Sequence, residues 1–360
     1  MSEKFFKTWL YKEISENHAR FTKKINFLFL FLVLGFLLPS SILLFFYPTS
    51  HLITKPKSSE ILSNSNEPIK PIPLSLDLDY QKVELGEKLF FDKQLSKNNT
   101  VSCGSCHELD QGGTDRSQYS THYNGALSAV NSPTIFNVGF NFKQFWNGRA
   151  ETLEEQAGMI LNNSKSMGIS WEEVVSRLSK DPEYTSKFKL IYKSDIKPEF
   201  IQNAIAEYER SLFTPNSRFD QYLRGDTNAI NQEELEGYLL FKKYGCTSCH
   251  QGVNIGGNMF ETFGISGDYF SMRGNLTDAD NGRFNVTKNE ADRYVFKVPS
   301  LRNVSLTAPY LHDGTAETLE DAVRIMSLYQ LGKTLSPEET DKISKFLHTL
   351  TGELKGKKLE

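Results

Sequence analysis

Apolar and polar positions divide the chain into three kinds of segment. From Phe27 to Tyr47 no charged residue occurs, and Leu, Phe, Val and Ile dominate. As a helix this run would be about 31 Å long, close to the ~30 Å hydrocarbon thickness of a bilayer. It exceeds the apolar stretch of a cleaved leader, and no small-x-small site follows in Tyr47-Pro48-Thr49-Ser50-His51. We read residues 25–47 as an uncleaved membrane anchor. Lys4, Lys7, Lys12, Arg20, Lys23 and Lys24 precede it, so the positive-inside bias keeps residues 1–24 in the cytoplasm and sends the rest across. In residues 48–75, Pro48, Pro56, Pro68, Pro71 and Pro73 recur among Ser, Asn and Lys without an apolar period. That composition reads as a linker.

Beyond Leu74 the apolar spacing is helical. It predicts helices over Ala150–Leu161, Trp171–Leu178, Phe200–Leu212, Leu319–Ser327 and Pro337–Leu350. The last has Ser336 as N-cap, Pro337 at N1 and Glu339 at N3, with Gly352 placed to stop it. No alternating run of useful strand length is present, so the class is all-α. Two helices carry the same letters, Gly86-x-x-Leu89-Phe90 and Gly237-x-x-Leu240-Phe241. A glycine within a helix costs about 1 kcal/mol against Ala, so its recurrence predicts close packing against another helix in a duplicated unit.

The 360 residues are 39% hydrophobic and 24% charged, with a formal net charge of −3. This is ordinary globular composition. There is no basic stripe, which argues against a nucleic-acid partner. The part beyond Tyr47 is mildly acidic and could steer a basic redox partner, or could simply be solvated surface.

All four cysteines lie in two copies of Cys-x-x-Cys-His, Cys103–His107 and Cys246–His250. This is the attachment signature of c-type haem. The two thiols add across the vinyl groups of one haem, and the adjacent imidazole ligates its iron. A zinc site has no need of a histidine directly after each pair. A thioredoxin-like dithiol belongs near a βαβ pattern, and a disulfide inside a two-residue loop is strained. The motif therefore predicts two haems, with Cys103, Cys106, Cys246 and Cys249 attaching them and His107 and His250 as proximal ligands. A helix precedes each motif, so two small haem domains follow, 76–225 and 226–352, before a charged tail at 353–360.

Residues 75–352 resemble the bacterial di-haem cytochrome c peroxidases and, by extension, the related methylamine-utilisation di-haem oxidases. The resemblance rests on ordered blocks: Leu85-Gly86-Glu87-Lys88-Leu89-Phe90-Phe91-Asp92, then the first haem motif, then Asn131-Ser132-Pro133-Thr134 and Phe145-Trp146-Asn147-Gly148-Arg149-Ala150. After the second haem motif come Pro299-Ser300-Leu301-Arg302-Asn303 and Thr307-Ala308-Pro309-Tyr310-Leu311-His312-Asp313-Gly314. The resemblance implies two class I cytochrome c-like haem domains. The N-terminal one would reduce peroxide, and the C-terminal one would take electrons from a small cytochrome or cupredoxin. It implies Met326 as sixth ligand of the second haem, where the oxidases carry tyrosine. Read without the family, Met326 is core packing on an amphipathic helix. It further implies Trp146 as the residue between the haems, and a calcium ion at Asn131, Thr307 and Pro309, whose oxygens are hard donors. His312 is expected to bond a haem propionate or to sit at the domain interface. A location facing the periplasm, where such haems are attached, agrees with the anchor. Homodimers are frequent among such proteins.

The pocket that handles peroxide departs from the family pattern. Family members place a glutamate within an Asn-Pro/Ser-x-Glu-Met stretch, and here Asn163-Ser164-Lys165-Ser166-Met167 puts Ser166 at that place. A hydroxyl is not a titratable acid near neutral pH and at best relays protons. Gln156, another family pocket residue, is retained but cannot supply a proton. His122 lies in the loop where many members carry a haem-capping histidine, nine residues before Asn131 instead of eight. It reads equally as a ligand or proton-transfer group and as a surface histidine. The leading expectation is a membrane-anchored peroxidase reducing hydrogen peroxide. Ser166 keeps open an electron-transfer or peroxide-sensing protein with weak turnover. A di-haem oxidase of a protein or organic substrate is the third class, and Met326 argues against it.

Overall fold

The structure is a computed structural model that describes residues 67–360. The expected anchor and most of the expected linker lie outside those residues. Among the described residues no helix is long and apolar enough to cross a membrane.

The first half is built from α1 (Tyr80–Phe91), α2 (Leu153–Leu161), α3 (Trp171–Leu178), α4 (Pro182–Tyr192) and α5 (Pro198–Ser211). Each starts where its sequence offers a cap. Asp79, Thr152, Ser170 and Asp181 accept from backbone N–H groups of the first turn, and Pro182 and Pro198 open α4 and α5. The second half holds α6 (Arg218–Leu223), α7 (Gln232–Lys243), α8 (Tyr269–Arg273), α9 (Phe284–Thr287), α10 (Leu319–Ile325) and α11 (Pro337–His348). Two short strands, β1 (Phe260–Thr262) and β2 (Val295–Lys297), pair antiparallel with Phe260 opposite Lys297. The chain ends in a hairpin of β3 (Glu353–Leu354) and β4 (Lys357–Lys358).

Apolar burial forms two clusters. One gathers Leu85, Leu89, Phe90, Phe188, Ile205 and Tyr208, among others; the second gathers Phe219, Tyr238, Phe241, Phe346 and Leu347 with their neighbours. Each is organised by one helix crossing. A Cβ on Gly86 would overlap the Ala204 carbonyl of α5, and a Cβ on Gly237 would overlap the Lys342 carbonyl of α11. The two recurrent glycines thus let α1 cross α5, and α7 cross α11, at backbone contact.

The repeat extends further than the haem motifs. Asn137 and Asn303 both take left-handed backbone (φ 62° and 59°), as do Phe145 and Leu311 (φ 66° and 71°). Gln144 bridges Ala150 as Tyr310 bridges Ala316. Helices α2 and α10 then follow, capped by Thr152 and Thr318.

Several expectations need correction. Residues 67–73, read as the end of the linker, are packed: Ile69 and Ile72 are buried, and Glu67 pairs with Lys242. The proline-rich spacing hid this because only two apolar residues do the docking. The charged tail also packs, with Leu354 and Leu359 against the first cluster. The capping box of α11 forms as expected, Ser336 Oγ accepting from Glu339 N at 3.2 Å. Gly352 is not the helix stop. The helix ends at Thr349 in right-handed conformation, and Gly352 is glycine because a Cβ would overlap the Thr214 carbonyl. Helix α4 had no sequence expectation at all.

Candidate functional site

Each Cys-x-x-Cys-His motif forms a single tight turn, Cys103–Ser105 and Cys246–Ser248, with the histidine N–H bonded back to the first cysteine's carbonyl. None of the four cysteines is in a disulfide. Burial raises the Cys103 thiol and pushes Cys246 up to about 12, so both are neutral thiols in apolar surroundings.

Both motif histidines are buried and held neutral, the form in which an imidazole can ligate a metal. His107 Nδ1 lies 3.2 Å from the Gly113 carbonyl, which fixes the ring and leaves Nε2 free. Burial depresses its basicity and takes that of His250 down to about 4. His250 Nδ1 is buried without a hydrogen-bond partner, beside the backbone of Ile255 and Pro299. The second motif opens into an apolar cavity walled by Cys246, Cys249, His250, Phe241, Leu347 and Met326. Thiol pair, neutral imidazole and thioether on one apolar cavity are the donor set a six-coordinate haem requires, and the residues fit that group. Met326 ends α10 and opens a widened turn, Met326–Gln330, closed by Leu331 N to the Met326 carbonyl. Such bulges cluster at functional positions because they re-aim a side chain within a helix.

The repeat defines the first site. Ile160 follows the start of α2 as Met326 follows the start of α10. Where the second half offers a thioether, the first offers a hydrocarbon that cannot ligate iron. Gln156 occupies the place of Ala322, which lines the second cavity. The turn after α2 returns onto Ile160, with Met167 N bonded to the Ile160 carbonyl at 3.4 Å. Ser166 is half-buried in that turn, and its carbonyl accepts from Tyr123 N at 3.3 Å. His122 is therefore brought beside Ser166, in a hairpin in which Thr121 bridges Leu127. Its ring is half-buried, and burial lowers its basicity. Asn98 Nδ2 donates to the Tyr123 carbonyl at 2.8 Å and anchors this loop.

Trp146 joins the halves. It is half-buried, lines the second cavity, and donates from Nε1 to the Asn131 carbonyl at 2.9 Å. Asn131 N donates in turn to the His312 carbonyl at 2.8 Å. Asn131, Thr307 and Pro309 all line the same cavity. The three contribute no carboxylate, and the Asn131 carbonyl accepts one hydrogen bond from Trp146, so a hard cation there would be met by neutral oxygens only.

Two polar clusters carry no signal in the sequence beyond the expectation that His312 bonds a propionate or sits at the domain interface. His312 is buried and edge-on to Trp146 (ring centroids 6.4 Å), with Nε2 2.7 Å from Asp280. Arg273 bridges Asp280 and Asp313. Arg302 and Asp220 form a fully buried ion pair at 2.8 Å. Arg302 also donates to the carbonyls of Lys70 (2.9 Å) and Val253 (3.0 Å), tying the 67–73 segment to the second core. Only the pairing of the Pro299–Asn303 block with Asn131–Asn137 signals that Arg302 stands where the first half has Phe136.

Comparison with known proteins agrees with this geometry. A family model for di-haem cytochrome c peroxidase matches residues 80–228. The chain is 47% identical over 288 residues to the cytochrome c peroxidase Ccp of Escherichia coli, covering 80% of this chain and 62% of that one. It thus spans less than two thirds of that relative's length. It is 44% identical to the cytochrome c551 peroxidase of Nitrosomonas europaea, covering 80% of this chain and 85% of that one. Among solved structures, a MauG-like protein associated with microbial copper homeostasis superimposes with a TM-score of 0.68 at 30% identity, over 81% of this chain and 95% of that one. The paired haem motifs, the repeat and these relatives agree, and the chain belongs to the di-haem cytochrome c peroxidase family.

Proposed function

We propose that the protein reduces hydrogen peroxide to two waters, using two protons and two electrons taken one at a time from a small cytochrome or cupredoxin. The observation that carries this reading is the pair Met326 and Ile160. One repeat closes its haem with a ligand, and the other leaves a coordination position free for peroxide. The haems supply the redox chemistry, and the chain supplies asymmetry, positioning and protons. His250 and Met326 hold the electron-accepting side. His107, oriented by Gly113, holds the other. Trp146 fills the gap between them and is fixed by its bond to Asn131. On the open side Gln156 can orient peroxide by hydrogen bonding, and Ser166 Oγ can relay a proton. His122, neutral near pH 7, can accept a proton on its free ring nitrogen and return it to the departing oxygen. The test is peroxide-dependent oxidation of a reduced small cytochrome by the holoprotein; its absence with every donor tried would defeat the reading.

Ser166 favours one second reading. General acid catalysis is typically worth about 10²–10⁴-fold, so a site without the glutamate can serve as a slow peroxide sensor. We further propose that the haems are covalently attached through the four cysteines, which haem retention in denaturing gels with acid–acetone extraction would test. A calcium ion at Asn131, Thr307 and Pro309, a homodimer, and an anchor at 25–47 holding the haem part on the periplasmic side complete the proposal. Chelator titration, sedimentation and membrane extraction test these in turn.

A further inference from the structure

Among the described residues, each haem motif has beside it one buried ionisable side chain without an ion-pair partner, and the two are opposite in sign. In the second pocket it is Lys297, at the end of β2. It lines the cavity that holds His250 and Met326, and only 7% of it is exposed. Its ammonium makes no ion pair or hydrogen bond among the described residues. Burial lowers its basicity to about 8. Arg302, on the same wall, is already neutralised by Asp220. Glu261, on the neighbouring strand, also lines the cavity but accepts from Thr262 N instead.

In the first pocket the residue is Glu209 on α5. It is 4% exposed, and its Oε2 has no hydrogen-bond partner. The repeat places it at the haem. Tyr208 packs on Gly86 as Phe346 packs on Gly237, so Glu209 corresponds to Leu347, which lines the second cavity. Its field also reaches the Cys103 sulfur. Burial pushes the carboxyl up to about 8. The charged groups facing it are Arg210 on its own helix and Glu154 on α2, which are ion-paired to each other at 2.8 Å. From α1, Glu87 acts on neighbouring Tyr208.

We propose that Lys297 and Glu209 are the electrostatic residues that set the two haems apart, Lys297 raising the reduction potential of the second and Glu209 lowering and proton-linking that of the first. The proposal rests on the di-haem reading. An unpaired cation beside the second haem stabilises its reduced form and offers a counter-charge to the haem's own carboxylates. A carboxylate beside the first haem stabilises its oxidised form. One-electron reduction of the first haem would be matched by uptake of one proton from solvent at Glu209. On reoxidation of that haem Glu209 would release the proton to solvent, so one electron and one proton would enter and leave together and the net charge of the pocket would stay unchanged.

The experiment is spectroelectrochemical titration of the holoprotein between pH 6 and pH 9, independent of peroxidase turnover. In the parent protein the first haem's potential should fall as pH rises through part of this range, with a slope approaching about 59 mV per tenfold change in proton concentration. Glu209→Gln should raise that potential at the alkaline end of the range, where the carboxyl is ionised, and flatten the slope. Glu209→Leu, which installs the residue of the other repeat, should do the same. Lys297→Met should lower the second haem's equilibrium constant for reduction by tenfold or more, and Lys297→Arg should restore it. A first-haem potential independent of pH in the parent protein overturns the Glu209 assignment, even if its variants fail to fold. An unshifted second haem in Lys297→Met, or equal shifts of both haems in any variant, overturns the charge asymmetry. Loss of turnover with these shifts intact would count against the peroxidase reading alone.

Discussion

The backbone N–H of Lys297 donates to the carbonyl of Trp146 at 2.7 Å. Its repeat-related counterpart is Asn131, which donates to the carbonyl of His312 at 2.8 Å. Each half thus gives the other the same bond, and the Trp146 indole adds a third through Nε1 to Asn131. The junction between the two repeats is held by this reciprocal set, so the Trp146 ring is fixed by backbone rather than by packing alone.

Trp146→Phe keeps an aromatic side chain and both backbone bonds but removes the indole donor and part of the ring volume. The lost hydrogen bond is worth about 0.5–1.5 kcal/mol net, and the smaller ring adds a packing loss, so global stability should fall by about 1–3 kcal/mol. Electron transfer between the haems should slow, read in rapid-mixing experiments as slower reoxidation of the second haem by peroxide. Unchanged rates would mean the electron takes another route.

Ser166→Glu places a titratable acid in the turn that meets the His122 hairpin. Turnover should rise, up to about 10²-fold if proton delivery limits the parent enzyme. An unchanged rate would show that His122, or another group, already supplies the proton.

Arg302→Met leaves Asp220 buried and unpaired. Breaking one side of a buried ion pair costs about 3–5 kcal/mol. Denaturant unfolding should show a loss of that order. The double substitution with Asp220→Leu should recover much of it, since the penalty lies in the orphaned charge.

Asp280 links acid stability to the domain junction. Burial alone would raise its carboxyl, but hydrogen bonds from His312 and Arg273 hold it far below the ordinary value of 3.8. Its contribution is therefore complete above the unfolded-state value and is lost as pH falls through the native one. Unfolding free energy should drop below about pH 4, and Asp280→Asn should be less stable at neutral pH with a flatter acid limb. An identical acid limb in the variant would assign the drop to other carboxylates.

What was legible in the sequence follows from how each signal arises. The Cys-x-x-Cys-His motifs, the capping box at Ser336 and the glycine pairs are local, so they could be read one at a time. Met326 and Trp146 were legible only through the family blocks, since a methionine or an indole on an amphipathic segment looks like core. Ile160, Lys297 and Glu209 carry no local signal. Their meaning comes from standing opposite Met326, Asn131 and Leu347 in the other repeat. The docking of Ile69 and Ile72 was hidden because it depends on Arg302, far along the chain.

The most direct test of the account is cyanide binding to the half-reduced holoprotein, followed by absorption and EPR. On the proposed assignment the second haem would then be reduced and closed by Met326, and the first oxidised, with Ile160 at the position that corresponds to Met326. The account predicts one cyanide per chain, bound to the oxidised haem attached at Cys103 and Cys106, with the reduced haem's spectrum unchanged. Binding at the Met326 haem, or no binding at either, would contradict it.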